Sequence, residues 1–340
     1  MIRSIVFAVS CVALLAPATA APAPASYTAA GIIAGPDGRW DYASFDPATG
    51  RVYIARGDSV TVIAIDHPAP ARSVGAIMRG HGVLPVGPGA RLLVTSGGDD
   101  SVRLIDADSG SERARIAVGG NPDAALFDVA TGLAAVMNAK AGTVSVIDLA
   151  GAKVQRTITL KPGLEFAVVA AGGALFVNNE DANEIERASI RTGAVAAPIA
   201  LPGCTGPSGL AYDAASHQLI SACDNGKAAV VDTVTGREIA LLDIGHGPDA
   251  VIMDSKRRLA FIPCGRDGML TVIALGTAGH AATVQGSVTT EPGARTGTID
   301  PRDGTLYLPT AKFAPPATPG ARPAPIPGSF HLVVVRRAAG

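Results

Sequence analysis

A segment of about 41 residues recurs seven times between Trp40 and the C-terminus. Its clearest part is an apolar run that ends in aspartate, found at residues 60–66, 102–106, 144–148 and 229–232. One unit of this size cannot bury its apolar face alone, so successive copies must stack against each other. Short β segments at this period are typical of radial blades, and the repeat therefore predicts an all-β, seven-bladed β-propeller with four-stranded blades.

The first apolar strand of each unit, which precedes the run described above, sets the register of the repeat. Five of these strands end in an aspartate followed by a glycine-containing turn: Asp46, Asp128, Asp213, Asp254 and Asp300, with weaker copies at residues 86–87 and 169–170. We interpret these aspartates as turn formers. The register predicts blades near residues 40–76, 82–117, 122–159, 165–200, 207–243, 248–288 and 294–336.

The seventh unit is one strand short, because the chain ends soon after the apolar strand at residues 330–335. Residues 27–33 precede the first unit and supply the missing strand. Pairing them with the last blade closes the ring and removes the exposed edges of an open sheet. We therefore expect the N-terminal strand to pair with the last blade.

The first twenty residues have the pattern of a signal peptide. Arg3 gives the positive start, residues 5–15 form an apolar core too short to span a bilayer, and residues 18–20 form a small-residue cleavage site. A lipoprotein with Cys11 as its anchor is the weaker alternative. We expect a linker at residues 21–26, a propeller at residues 27–337 and a periplasmic or secreted bacterial protein.

Composition limits the classes of function. Charged residues make up 17% of the chain and the formal net charge is −1, without a basic run that would displace counterions from a phosphate backbone. We expect no nucleic-acid partner, no transmembrane segment in the mature chain, and a monomer. The length alone would allow two domains, but the continuous repeat leaves no residues for a second one.

Three cysteines remain after the signal peptide: Cys204, Cys223 and Cys264. In a propeller, Cys204 lies in the connection into blade five and Cys223 ends the second strand of that blade, so both lie at one face. We expect a Cys204–Cys223 disulfide, with Cys223–Cys264 as the alternative. Without Cys-x-x-Cys spacing, Cys264 is interpreted as a small buried residue.

One position of the repeat, near the start of each inner strand, carries unusual chemistry. We expect it to ring the mouth of the central channel on the face that also carries the connections between blades, here called the top face. Blade 2 has Gly82 at this position, with His81 beside it. The candidate ligand-binding residues are Asp41, His81, Asp123, Glu165, Ser208, Asp249 and Arg295. The four carboxylates, Asp41, Asp123, Glu165 and Asp249, could bind a divalent cation. The alternative is that each acid caps the backbone of its own turn.

Three further features flank this mouth. Residues 314–328 form a proline-rich insertion in the top loop of blade seven, expected as a stiff polyproline flap over or beside the channel. Residues 178–184 are rich in Asn and acids, but lack the spacing of a calcium loop, and we interpret them as a solvated loop. Trp40 is the only tryptophan and either stacks on a ligand or packs between blades.

The repeat resembles the exported YncE-like, YVTN-repeat seven-bladed propellers of bacteria. The similarity lies in the Gly-x-x-Pro starts, the Asp-Pro/Ala-x-x-Gly turns and the Val-x-Val-Ile-Asp strands. More specific matches are residues 204–223, 247–250, 293–296, 306–311 and 327–330. The resemblance implies the fold and export but no settled activity. Cys264 departs from it, where a small polar residue is expected.

Two classes of function remain open. The first is an exported scaffold that binds an unidentified protein or small ligand at its top face and channel mouth. The second is a metal-assisted enzyme, because some propeller lactonases and streptogramin lyases resemble this architecture and act at a cation in the channel mouth. The paired His and Glu of those lyases are not evident, which favours the scaffold. The sequence names no catalytic residue and no cofactor beyond this candidate divalent cation.

Overall fold

The computed structural model describes residues 26–338 apart from residues 88, 317 and 319–322. The predicted signal peptide and all but the last residue of the linker lie outside the described residues. Seven antiparallel sheets of four strands form a ring, so the prediction of a seven-bladed β-propeller is confirmed. Among the described residues, no helix is long and apolar enough to cross a membrane.

Blades 1 to 3 each run from an inner strand to an outer strand. Blade 1 consists of β2 (Trp40–Asp46), β3 (Arg51–Arg56), β4 (Val60–Ala64) and β5 (Arg72–Val74). Blade 2 consists of β6 (Val83–Pro85), β7 (Arg91–Ser96), β8 (Ser101–Asp106) and β9 (Glu112–Ala117). Blade 3 consists of β10 (Pro122–Asp128), β11 (Leu133–Asn138), β12 (Thr143–Asp148) and β13 (Lys153–Thr159).

Blades 4 to 6 repeat this order. Blade 4 consists of β14 (Leu164–Ala170), β15 (Ala174–Asn179), β16 (Glu184–Ser189) and β17 (Val195–Ala200), with a 3-10 turn at Ala171–Gly173. Blade 5 consists of β18 (Pro207–Asp213), β19 (Gln218–Cys223), β20 (Lys227–Asp232) and β21 (Arg237–Asp243). Blade 6 consists of β22 (Ile252–Asp254), β23 (Leu259–Cys264), β24 (Met269–Ala274) and β25 (Thr283–Thr289).

Blade 7 joins the two ends of the described chain. Its strands are β26 (Thr298–Ile299), β27 (Leu306–Thr310), β28 (His331–Arg337) and, at the outer edge, β1 (Tyr27–Ala34). β1 pairs antiparallel with β28, from Tyr27 opposite Arg337 to Ala34 opposite His331. The expected closure of the ring by the N-terminal strand is therefore confirmed.

The tight turns at the bottom face follow from the aspartates that end the inner strands. In blade 1 the Asp46 carboxylate accepts a hydrogen bond from the Ala48 N–H at 3.0 Å, and Gly50 has a φ of +62°. Asp128 accepts the Ala130 N–H at 3.2 Å in the corresponding turn of blade 3. These bonds confirm that the aspartates are turn formers, because each carboxylate satisfies backbone donors of its own turn.

Apolar clusters between neighbouring sheets form the core. Phe45 and Ile54 of blade 1 pack with Tyr307 and Leu332 of blade 7, and all four side chains are buried. Comparable clusters lie between the other blades, so each sheet is stabilised by its two neighbours. The interface between the last and the first blade is thus built like the rest of the core.

Cys204 and Cys223 form a disulfide across the top of blade 5, as predicted. Cys264 is a free buried thiol, so the alternative Cys223–Cys264 bond is wrong. Burial raises the pKa of the Cys264 thiol, which keeps it protonated. Its interpretation as a small buried residue is confirmed.

The interpretation of residues 178–184 as a solvated loop is wrong for its first two residues. Asn178 and Asn179 end β15 and are fully buried. The Asn178 side-chain amide donates to the carbonyl oxygens of Ser208 and Gly209, each at 3.0 Å, and so ties blade 4 to the inner strand of blade 5. Their side-chain amides form hydrogen bonds with buried backbone groups rather than with water.

Loss of the Cys204–Cys223 bond is expected to lower the free energy of unfolding by about 3 kcal/mol, because the bond closes a loop of about 20 residues in the unfolded chain. The measurement is urea unfolding of the Cys204→Ala/Cys223→Ala variant. The Cys264→Ala variant is the control, since it removes a buried thiol but no cross-link. Equal stability of the wild type under oxidising and reducing conditions would contradict this prediction.

Candidate functional site

The inner strands of blades 1, 3, 4 and 5 share a β-bulge near their top end. The ladder with the second strand is interrupted between residues 40 and 43, 122 and 125, 164 and 167, and 207 and 210. The first residue inside each interruption is a predicted site residue: Asp41, Asp123, Glu165 or Ser208. A bulge bends its strand and redirects the side chain, and bulges are common beside functional sites.

The other three predicted residues precede short inner strands. His81, Asp249 and Arg295 lie in the connections before β6, β22 and β26, which begin only at Val83, Ile252 and Thr298. Each of the seven blades therefore contributes one of the predicted residues near the top of the channel. Whether they bind a ligand stays a prediction.

Five of the seven residues form a chain of polar contacts across five consecutive blades. The Arg295 Nε lies 2.8 Å from the Asp249 Oδ2, and its Nη2 lies 3.6 Å from the Asp41 Oδ1. The Asp41 Oδ2 is 2.7 Å from the His81 Nδ1, which is also 3.5 Å from the Asp123 Oδ1. This chain spans the junction where the ring closes, between blades 7 and 1.

Asp41, His81 and Asp123, named here the Asp–His–Asp cluster, place three metal-ligating atoms within 4.8 Å of one another. The three side chains are 15–17% exposed. The hydrogen bond to Asp41 and the nearby Asp123 charge raise the pKa of His81, although burial opposes them. The His81 Nε2 is buried and has no hydrogen-bond partner within the described residues.

Burial raises the pKa values of three acids of the ring, Glu165, Asp249 and Asp123. Burial, with the nearby acids, raises the pKa of Glu165 to about 10, and Glu180 accepts a hydrogen bond from its carboxyl group. Burial raises the pKa of Asp249 to about 7, opposed by Arg295. It also raises the pKa of Asp123 to about 6, opposed by His81. The ring therefore carries fewer than four negative charges at neutral pH.

Ser208 differs from the other ring residues because its hydroxyl is used within the fold. The side chain is buried, and the Ser208 Oγ donates to the carbonyl oxygen of Pro248 at 3.1 Å. This bond joins blade 5 to blade 6. A similar bond runs from the Thr296 hydroxyl of blade 7 to the Asp41 carbonyl of blade 1, at 2.8 Å.

Tyr42 is a residue of the mouth that the sequence interpretation missed. Its ring is buried and packs against Phe166 of blade 4 with 5.2 Å between ring centroids, so it reaches across the channel from blade 1. Burial and the four ring acids hold its pKa well above the ordinary value. The sequence contains a pattern that indicates this role. Tyr42 and Phe166 are bulky aromatic residues at a repeat position that elsewhere holds small residues such as Ala124 and Gly209.

A cavity of about 840 Å³ opens on the top face beside the mouth. It lies over blades 6, 7 and 1 and reaches Asp224 in the top loop of blade 5. Its apolar wall contains Trp40, Phe313, Ile326 and Phe330. Asp249 and Arg295 are the two predicted ring residues in its lining. The cavity is therefore offset from the channel axis, and the Asp249–Arg295 pair connects it with the Asp–His–Asp cluster.

The proline-rich insertion forms one wall of this cavity. Its base is a hairpin, in which the Ala314 N–H donates to the Ala324 carbonyl at 2.9 Å and the Ile326 N–H donates to the Lys312 carbonyl at 2.8 Å. Asp37 accepts hydrogen bonds from the N–H groups of Gly328 and Phe330, which holds the end of the segment against blade 1. Its described part is thus a folded-back hairpin rather than an extended polyproline flap.

Trp40 packs against neighbouring aromatic rings and also lines the cavity. Its ring centroid lies 5.4 Å from that of Phe330 and 6.3 Å from that of Phe313. The same indole lines the cavity. These three side chains, named here the aromatic wall, give the cavity a rigid apolar surface on which a flat ring can pack.

No protein-family model and no curated protein sequence matches this chain. The chain is similar to a chain of Kuenenia stuttgartiensis hydrazine synthase, with a TM-score of 0.69 and 16% identity over 78% of this chain and 91% of that chain. It is also similar to a chain in the crystal structure of the mitotic checkpoint complex, with a TM-score of 0.74 and 12% identity over 98% of this chain and 99% of that chain. At these identities the similarity shows the propeller fold alone.

We expect the Glu165→Gln variant to be more stable than the wild type at pH 8 and equally stable at pH 4. The folded protein holds the Glu165 proton between the ordinary pKa of 4.5 and about 10, whereas the unfolded chain releases it. The wild type therefore loses stability as the pH rises through that interval, and a neutral amide does not. Thermal unfolding of both proteins in EDTA, from pH 4 to pH 9, measures the difference.

The matched control is Asp243→Asn, which removes an exposed carboxylate at the outer strand of blade 5. Its stability relative to the wild type should not follow the Glu165→Gln profile. A Glu165→Gln variant that is equally destabilised at both pH values would contradict the assignment of a neutral, buried Glu165.

Proposed function

We propose that this protein is an exported binding protein whose ligand occupies the top-face cavity beside the channel mouth. The cavity itself carries this proposal. Its volume lies in the range of small-molecule sites, and it combines an aromatic wall with a few charged groups, which is the composition of such sites. Blades 6, 7 and 1 form a rigid base for it, as propellers and other scaffolds commonly do for their binding loops.

The proposal also includes export of the protein, its family and its oligomeric state. The pattern of residues 1–20 is that of a signal peptide, and the Cys204–Cys223 disulfide is compatible with an oxidising compartment. The motifs shared with YncE-like, YVTN-repeat propellers support a place in that family of exported proteins. The mature protein acts as a monomer in the periplasm or outside the cell, and its partner is a small molecule or a segment of another protein.

The single tryptophan makes the proposal testable, because Trp40 lines the cavity. N-phenyl-1-naphthylamine, a neutral two-ring fluorophore, should bind at one saturable site. Binding should quench Trp40 emission and produce sensitised emission of the probe. The Ile326→Asp variant places a charge in the apolar lining and should abolish the sensitised emission, since a carboxylate there would be desolvated by the bound rings.

The matched control is Val234→Asp, a substitution at a side chain 77% exposed at the bottom of blade 5. It should bind the probe like the wild type. Thermal unfolding shows whether either variant has lost its fold. If the folded wild type does not bind the probe, or if both variants lose it equally, the cavity is not a ligand site for apolar rings.

A metal-assisted hydrolase or lyase is the second candidate function, and the Asp–His–Asp cluster favours it. Two carboxylates and one imidazole are a ligand set suited to divalent transition metals. Asp41 and Asp123 contact the same His81 nitrogen, whereas Asp249 is paired with Arg295. Such a metal would polarise a substrate carbonyl or activate a water molecule, while His81 and the two carboxylates hold it at the mouth.

Titration of metal-free protein with Mn²⁺ or Zn²⁺ in a calorimeter tests this candidate. One ion should bind to the wild type, and the Asp41→Asn/Asp123→Asn variant should not bind it. Asp249→Asn is the control, because Asp249 lies outside the cluster, and it should keep most of the affinity. Absence of binding to the wild type would exclude the metal-assisted function.

A further inference from the structure

The cavity lining contains three arginines and three aspartates. The arginines are Arg39, Arg266 and Arg295. Arg266 pairs with Asp224 at 2.8 Å and Arg295 pairs with Asp249 at the same distance. Arg39 is exposed and forms no ion pair within the described residues. Within the part of the chain that the structure describes, Arg39 is therefore the lining guanidinium without a carboxylate partner.

A fourth guanidinium lies directly behind the aromatic wall. Arg56 is 2% exposed, and its Cζ lies 4.1 Å from the centroid of the Phe330 ring. Its Nη2 donates to the Pro36 carbonyl at 2.9 Å, whereas its Nη1 is buried without a hydrogen-bond partner in the described structure. Burial lowers the pKa of Arg56 to about 10, which still leaves it charged at neutral pH.

The carboxylates of the lining are already used. Asp37 accepts the N–H groups of Gly328 and Phe330, Asp224 holds Arg266, and Asp249 holds Arg295. The three guanidinium groups of the lining thus face three carboxylates, and each carboxylate is bonded to a group of the protein. Among the described residues, the charged lining group without an ion-pair partner is a cation, Arg39, and an anion would meet its unpaired N–H donors.

The cavity combines two kinds of surface, the apolar aromatic wall and the charged arginine side chains. Trp40, Phe313 and Phe330 supply apolar area, and the Arg295 side chain is 45% exposed beside them, with Nε bonded to Asp249 and Nη2 3.6 Å from Asp41. A ligand that satisfies both surfaces must have an apolar ring system and an anionic group. The volume of about 840 Å³ accommodates such a molecule.

We propose that the ligand of the top-face cavity is a ring-bearing organic anion, a carboxylate or a comparable acid. Its rings pack on the aromatic wall, and its anionic group binds Arg295 and Arg39. This inference rests on the proposed function, because it assigns the ligand class of the same cavity. It also explains why a buried Arg56 stands behind the wall: the positive potential of Arg56 adds to that of the lining arginines.

A matched pair of probes separates the charge from the rings. 8-Anilinonaphthalene-1-sulfonate and N-phenyl-1-naphthylamine share their ring system, and the sulfonate is the difference between them. Both are followed by energy transfer from Trp40. The sulfonate probe should bind the wild type more tightly, and the Arg39→Gln/Arg295→Gln variant should bind it at least about tenfold more weakly, as expected for the loss of charged hydrogen bonds.

The same double variant should lose much less affinity for the neutral probe than for the sulfonate probe. Arg237→Gln is the control, because Arg237 is exposed on the outer strand of blade 5, away from the cavity. It should bind both probes like the wild type. Thermal unfolding of each variant verifies that the fold is retained.

The outcomes distinguish the two proposals. If the wild type binds both probes equally, or if the double variant keeps its affinity for the sulfonate probe, the anion assignment is wrong and the cavity remains a site for neutral rings. If Arg237→Gln weakens the sulfonate probe as much as the double variant does, the attraction is a general surface effect and the assignment is also wrong. If neither probe binds, the proposed function itself fails.

Discussion

The structure depends on the pairing of the N-terminal strand Tyr27–Ala34 with the C-terminal strand His331–Arg337. Without β1, blade 7 would present β28 as an open edge. Tyr307 and Leu332 of that blade pack on Phe45 and Ile54 of blade 1 across the junction. A closed ring brings residues from the two ends of the sequence into permanent contact.

The candidate site lies on that junction. The Thr296 hydroxyl reaches the Asp41 carbonyl over a sequence separation of 255 residues, and Asp37 holds the backbone of Gly328 and Phe330. The cavity uses blade 6, blade 7 and the start of blade 1, so it exists only when the ring is closed. Closure and ligand binding are therefore coupled, and a ligand that fills the cavity should stabilise the junction.

The fold could be predicted from the sequence because it is set by local and periodic features. The 41-residue period gives the number of blades, and aspartates such as Asp46 and Asp128 mark the turns by bonding to their own backbone. The short last unit predicts the closing strand. Each of these signals lies within one repeat or between neighbouring repeats, where sequence distance reflects spatial distance.

The site could be predicted only in part. The repeat position of Asp41, Asp123 and Glu165 follows from the register, but their contacts do not, because the distances between blades depend on how the ring packs. His81 meets Asp41 and Asp123, whereas Glu165 turns to Glu180 in the next loop of its own blade. The sequence did not predict that Tyr42 of blade 1 packs against Phe166 of blade 4.

The cavity was not predicted from the sequence, because its wall combines residues from both ends of the chain with a folded-back insertion. Burial of Arg56 behind Phe330 is likewise a property of the assembled ring. The polarity of a loop-like stretch does not indicate whether its residues face water or are buried. Asn178 was expected in water and is instead fully buried between blades 4 and 5.

The measurement that tests the central claim most directly is a crystal structure of the mature protein with bound 8-anilinonaphthalene-1-sulfonate. The claim is that ring closure builds a cavity for a ring-bearing anion. We predict the naphthalene rings against Trp40, Phe313 and Phe330, with sulfonate oxygens in hydrogen-bond contact with Arg295 or Arg39. Electron density for the probe on the outer strands, or in the cavity with its sulfonate directed away from these arginines, would contradict the account.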